Sequence, residues 1–96
     1  EAYAARAMIL DAARRRDAGE NVTMLASSTK LFATEACGRI ADRAVQVFGG
    51  AGYVSDYGIE RFYRDVRIFR LYEGTSQIQQ IIIARELAKA AKAGRL

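Results

Sequence analysis

One stripe constrains this chain more than anything else in it. Phe32, Ala36, Ile40, Ala44 and Phe48 fall four apart without interruption, with Cys37, Ala41 and Val45 beside them. Apolar residues at that interval line one face of an α-helix, whereas the side chains of a strand change face at every residue. No proline stands anywhere in the 96 residues to break such a helix, and alanine, arginine and glutamate are frequent. The pattern predicts a helix from about Val22 to Phe48, ended by Gly49-Gly50, with small residues that let a neighbouring helix approach closely.

The flanking segments carry the same period. Residues 1–18 predict a first helix, with Tyr3, Ala7, Leu10 and Ala13 or Arg14 at helical spacing and a stop at Asp17-Ala18-Gly19. Arg14, Arg15 and Arg16 crowd its last turn, where cations suit the negative end of the helix dipole. A glycine-punctuated loop spans Gly49 to Gly58, a short helix follows from about Ile59 to Phe69, and Tyr72-Glu73-Gly74 is a break. The last helix starts at Thr75 or Ser76; with Ser76 as cap, Gln79 falls at the reciprocal capping-box position. It continues through Ile78, Ile81, Ile82, Ile83 and Leu87 into a basic end from Lys89 to Arg95. Three consecutive isoleucines predict burial on more than one side, by bundle neighbours, another domain or another subunit. The expected class is all-α: an antiparallel, up-and-down helical bundle forming one domain over residues 1–96. Glu1 is not a start residue, and the alanine-rich stretch behind it reads like a helix already under way, so a segment of a longer chain is expected.

Composition narrows the chemistry. A net charge of +4 leaves nucleic acid, acidic lipid, a nucleotide cofactor and coenzyme A open as anionic partners. Histidine is absent and Cys37 is the single cysteine, so no internal disulfide and no thiolate cage can form, and no metal site is expected. Proton transfer must rest on Asp, Glu, Lys, Tyr or Cys37. No apolar run is long enough to cross a bilayer.

Four features are candidates for function, and each also has a plain structural account. Gln46, Val47, Phe48, Gly49 and Gly50 put glycines at a helix terminus, where a phosphate can approach the backbone or where a helix simply ends. Arg61 to Tyr72 interleaves aromatics with arginines, which suits bases and phosphates or an ordinary amphipathic helix. Glu73 sits between two helices beside Gly74, as a general base in a dry cleft or a solvated turn residue. Thr75, Ser76 and Gln77 offer amides and polar side chains to a ligand, or cap a helix. Cys37, within the small-residue stripe, reads as a buried structural thiol.

Taken in order, the segments form a set. Gln46-Val47-Phe48-Gly49-Gly50-Ala51-Gly52-Tyr53, then Glu60-Arg61-Phe62-Tyr63-Arg64-Asp65-Val66-Arg67-Ile68, then Tyr72-Glu73-Gly74-Thr75-Ser76-Gln77-Ile78-Gln79, closing on Ile83-Ala84-Arg85, resembles the C-terminal part of the flavin-dependent acyl-CoA dehydrogenases. The resemblance implies FAD held in a homotetramer or homodimer, and oxidation of an acyl-CoA thioester to the trans-2-enoyl-CoA in fatty acid β-oxidation. It implies Glu73 as the base for the α-proton, with hydride leaving the β-carbon for flavin N5 and electrons passing on to an electron-transfer flavoprotein. By the same resemblance the Glu73 amide helps bind the thioester carbonyl and Gly74 lines the substrate channel. Thr75, Ser76 and Gln77 would touch FAD, and Gln46 to Gly50 would contact the adenosine part of a flavin bound mainly by a neighbouring subunit. Gly58 departs from the family, where many relatives have proline. So does length, since family members are several times longer; the segment alone is expected to be inactive. The expected compartment is bacterial cytoplasm or mitochondrial matrix. Three rival readings remain: a basic nucleic-acid-binding module, a purely structural oligomerisation domain, and a family relative that binds FAD without dehydrogenase activity.

Overall fold

A computed structural model describes residues 1–96 as five α-helices joined by short connections, without strands. These are α1 (Ala2–Asp17), α2 (Thr23–Phe48), α3 (Gly50–Tyr53), α4 (Ile59–Val66) and α5 (Ser76–Lys92), with 3-10 turns at Ser55–Tyr57 and Arg67–Arg70. The expected all-α class holds, and no helix is long and apolar enough to cross a membrane. α1 stops as its glycine requires. Gly19 takes φ +84°, its N–H and that of Glu20 returning to the carbonyls of Arg16 and Arg15.

α2 is the hub. α1, α4 and α5 all pack against it and scarcely against one another. Glu1, at the start of α1, reaches Arg39 late in α2 at 2.9 Å, so the two helices run antiparallel. α5 also opposes α2: Ser76 meets Glu35, and Ile83, two turns on, lines a groove with Leu31, Phe32 and Ser28.

Several local expectations change. The Tyr3, Ala7, Leu10 and Arg14 side of α1 faces outward as an open groove, while Ala5, Met8 and Ala12 are the half-buried side. α1 has two apolar stripes, and the one with small residues is the better fit for close approach to α2. On α2, Ala36 and Ala41 are buried but Ile40 and Phe48 are exposed, so the small members of the stripe are the packed ones. Cys37 is only half-buried. The loop after α2 holds a full helical turn: a Cβ at Gly52 would lie 2.6 Å from the Val45 carbonyl oxygen, so only glycine lets α3 fold back on α2. The helix expected to reach Phe69 tightens into 3-10 geometry after Val66, a common way for a helix end to satisfy its last carbonyls. Within α4 Arg64 pairs with Glu60 at 2.7 Å, while Phe62 stands outward.

The surface is large for the mass. The chain exposes 7022 Å² at 10.6 kDa, where a self-contained monomer of this mass exposes about 5,500 Å². The radius of gyration is 16.6 Å, against about 12.5 Å for a compact domain of this length. No large apolar side chain is fully buried, and Ile78 and Ile81 of α5 lie exposed. Of the neighbours foreseen for the isoleucine-rich helix, only α2 is present within the chain.

Candidate active site

The break between the last 3-10 turn and α5 is the most constrained piece of backbone in the molecule. Glu73 takes φ +52°, the single non-glycine residue with positive φ, and Gly74 follows at φ +87°. The left-handed region brings Cβ against the next carbonyl, so a glutamate there is strained unless its surroundings hold it. Two side chains do so. Lys30 Nζ, from the first third of α2, donates to the Tyr72 carbonyl at 3.1 Å and to the Gly74 carbonyl at 2.6 Å. Gln79 Nε2, from the first turn of α5, lies 3.3 Å from both the Glu73 and the Gly74 carbonyl oxygens. Gly74 is required twice over, by its φ and because a Cβ would stand 2.6 Å from Gln79 Nε2. The Glu73 side chain is left exposed.

α5 then begins on Thr75, whose Oγ1 accepts from the Ile78 N–H at 3.2 Å. The cap is Thr75, and the Ser76–Gln79 capping box does not form. Ser76 is instead buried: its hydroxyl donates to Glu35 at 2.6 Å, while Gln79 turns back to the break. Glu35 also meets Arg70 Nη1 at 3.4 Å. The Ser76 hydroxyl, seconded by the Arg70 charge and opposed by burial, holds the Glu35 carboxyl below its ordinary value. Gly38 gives Arg70 its room, since a Cβ there would be 3.1 Å from the guanidinium carbon.

The candidate residues therefore fall into two places. Glu73, Gly74, Thr75, Ser76 and Gln77 form one continuous site at the head of α5, with Gln77 and Glu73 exposed and Ser76 turned inward. Gln46, Val47, Phe48, Gly49 and Gly50 lie at the far end of α2, all five exposed, with Gln46 roughly 24 Å along the helix from Lys30 at 1.5 Å per residue. At Gly49 and Gly50 an added Cβ meets nothing within 4 Å, so the backbone there is open to approach. No group of His, Cys, Asp and Glu is arranged to hold a metal. Sequence reasoning missed Lys30 and Glu35. Yet both were marked: Lys30 is the lone cation between Arg16 and Arg39, and Glu35 the lone acid between Glu20 and Asp42.

Known proteins with this architecture agree with one another. A family model described as the acyl-CoA dehydrogenase C-terminal domain matches residues 1–88. The chain is 49% identical to cyclohexane-1-carbonyl-CoA dehydrogenase of Geobacter metallireducens, over 92% of this chain and 23% of that protein. It is 46% identical to the CarC subunit of the caffeyl-CoA reductase-Etf complex of Acetobacterium woodii, over 90% of this chain and 23% of that one. Among solved structures, acyl-CoA dehydrogenase from Geobacillus kaustophilus superposes with a TM-score of 0.85 at 34% identity, covering 88% of this chain and 22% of that chain. The chain thus spans under a quarter of the length of these relatives. A match over most of its residues, together with the shared fold, makes this chain a member of the acyl-CoA dehydrogenase family, in its C-terminal domain.

Proposed function

We propose that this chain is the C-terminal helical domain of a longer FAD-dependent enzyme that takes the α-proton of an acyl-CoA thioester onto Glu73. The observation that carries the reading is the exposed Glu73 carboxylate, on strained backbone at the head of α5, held there by Lys30 and Gln79. Strain of this kind persists where the surroundings over-determine it, and it gathers at functional sites. The α-proton of a thioester is weakly acidic, so its removal needs a base set against the carbon and a donor for the developing enolate oxygen. Glu73 supplies the base. Its own N–H, in the turn before α5, is the donor in this reading. Gly74, without a side chain, leaves room for the acyl chain.

The residues present fit FAD at both places. The open backbone at Gly49 and Gly50 admits a large ligand. The first N–H groups of α5 have no partner within the helix, and Gln77 is exposed beside them. With its hydroxyl committed to Glu35, Ser76 would offer FAD its backbone, leaving side-chain contact to Thr75 and Gln77. FAD, when bound, supplies the acceptor for the hydride leaving the β-carbon. The distance along α2 between the two places supports a flavin of one subunit touched at Gln46–Gly50 by another, hence a homotetramer or homodimer.

The relatives widen the substrate class. Their names include a cyclohexane-1-carbonyl-CoA dehydrogenase, a caffeyl-CoA reductase-Etf complex subunit and a 3-(aryl)acrylate reductase. The same half-reaction run backwards is a reduction, so cyclic and aryl-substituted acyl groups belong beside straight chains among the substrates proposed. An electron-transfer flavoprotein is the proposed redox partner and a bacterial cytoplasm the proposed compartment.

An anaerobic titration of the full flavin-loaded chain with straight-chain, cyclic and arylpropionyl thioesters, following flavin absorbance beside Glu73→Gln, tests the reading. Bleaching in the parent and none in the variant is the expected result. Equal bleaching in both would return Glu73 to the role of a turn residue. Flavin that no thioester bleaches, and whose reduced form no enoyl thioester reoxidises, would leave the family membership and remove the activity.

A further inference from the structure

We propose that Lys30 is a positioning residue for Glu73, fixing the direction of the carboxylate through the backbone on either side of it. The inference rests on Glu73 being the base. Its grounds are geometric. Consecutive left-handed residues swing successive carbonyls toward a common side, and here the oxygens of Tyr72, Glu73 and Gly74 all gather on two side chains. Lys30 takes the two outer ones, before and after Glu73, so a single ammonium bridges the residue that carries the carboxylate. Gln79 takes the middle one and shares the last.

Lys30 has no competing duty. It enters none of the chain's ion pairs, so both of its hydrogen bonds go to this turn. An ammonium suits such a bridge, because it has three donors and no acceptor, and its hydrogen bonds to carbonyls are charge-assisted. It also comes from α2, the helix on which the rest of the chain is packed, so the turn is referenced to the most extensively supported element in the molecule. Without that tether Glu73 would be free to relax from φ +52° toward the ordinary helical region. Its Cα–Cβ bond would then swing, carrying the carboxylate away from the α-carbon.

A neutral chain of similar length removes the tether while keeping the packing, so Lys30→Met is the variant to make. Lys30→Arg keeps the charge and the donors. Both are made in the full flavin-loaded chain beside Glu73→Gln and mixed rapidly with an acyl-CoA and with its α-deuterated form. A base displaced by about an ångström loses rate on the order of 100-fold. Lys30→Met is therefore expected to bleach flavin slower by that order, with a larger α-deuterium isotope effect. Thioester affinity and flavin content should stay near the parent's, the thermal midpoint should fall only modestly and by far less than the loss of rate would require, and Lys30→Arg should recover most of the rate.

A Lys30→Met protein that bleaches like the parent, while Glu73→Gln is silent, overturns the positioning role and leaves the base assignment intact. Loss of rate only in proportion to lost flavin or lost stability overturns it too, since that is a merely structural lysine. If Lys30→Met does not retain flavin, Gln79→Met removes the other arm of the clamp and is read by the same criteria. Bleaching by Glu73→Gln at the parent rate would sink both readings at once.

Discussion

Produced alone, residues 1–96 face a deficit of burial whose size follows from their surface. The folded chain leaves 7022 Å² exposed, about 1,500 Å² more than a self-contained monomer of its mass. If about 57% of that excess is apolar, burial at 25 cal/mol per Å² would have added about 20 kcal/mol. Allowing for a compact unfolded state lowers this to about 12 kcal/mol. Net stabilities of whole domains are only about 5–15 kcal/mol. The missing burial is therefore as large as the entire margin, and the isolated chain should not persist as a folded monomer. Light scattering after gel filtration, with helicity followed in urea, is the assay. The expected result is self-associated or partly unfolded material without a sharp transition. Ile78→Gln with Ile81→Gln, both on the exposed side of α5, should reduce the association without restoring a transition. A monomer that unfolds cooperatively with about 5 kcal/mol or more would refute the reasoning, because it would mean that the exposed apolar surface costs the fold little.

Gly74→Ala should destabilise the full chain by about 2–4 kcal/mol, from the left-handed penalty plus two weakened Gln79 hydrogen bonds. Gly19→Ala shares the positive φ but meets nothing within 4 Å, so its cost should stop at about 1–2 kcal/mol. Equal losses in urea unfolding would mean that Gln79 yields freely. Ser76→Ala removes the strongest partner of Glu35 and should cost about 1–2 kcal/mol at neutral pH, discounted because the Glu35 side chain is 32% exposed. The folded Glu35 pKa is depressed, so this stabilisation is complete above the ordinary carboxylate value of about 4.3 and fades as pH falls through the folded one. Thermal midpoints of parent and Ser76→Ala should accordingly converge on acidification; a gap that stays constant would show that Glu35 is not the partner that matters.

The helices were legible because their cause is local. Glycines at 19, 49 and 74 and the stripe on α2 each act within a turn or two of themselves, and their effects appear where the spacing put them. What the spacing could not rank was which of two apolar stripes on α1 would face α2, since that depends on how closely two backbones approach. The same limit hid the mixed identity of α5's start. Thr75 and Ser76 are equally good caps by type, and the choice was made by Glu35, far back on α2, which claims the Ser76 hydroxyl. Ser76 thereby moves from the ligand-facing side of the turn to its foundation.

Glu73 shows why the clamp was invisible while the carboxylate was not. A glutamate between two helices and beside a glycine is conspicuous in one dimension. The residue that bridges its neighbouring carbonyls lies more than forty positions earlier, inside a helix whose pattern is fully explained by packing. Lys30 could be suspected only from what it interrupts, a run from Asp17 to Gly38 with no other cation. A lone cation on a packed helix must find partners or stay wet, and the two outer carbonyls of a strained turn are the partners it takes. The pairing works in both directions: the turn offsets the cost of bringing Lys30 toward the core, and Lys30 makes a left-handed glutamate tolerable. That mutual dependence has a measurable consequence. Glu73→Gly, which relieves the φ strain, should make Lys30→Met less destabilising in urea unfolding than it is beside Glu73, and strictly additive losses would show the two residues to be independent.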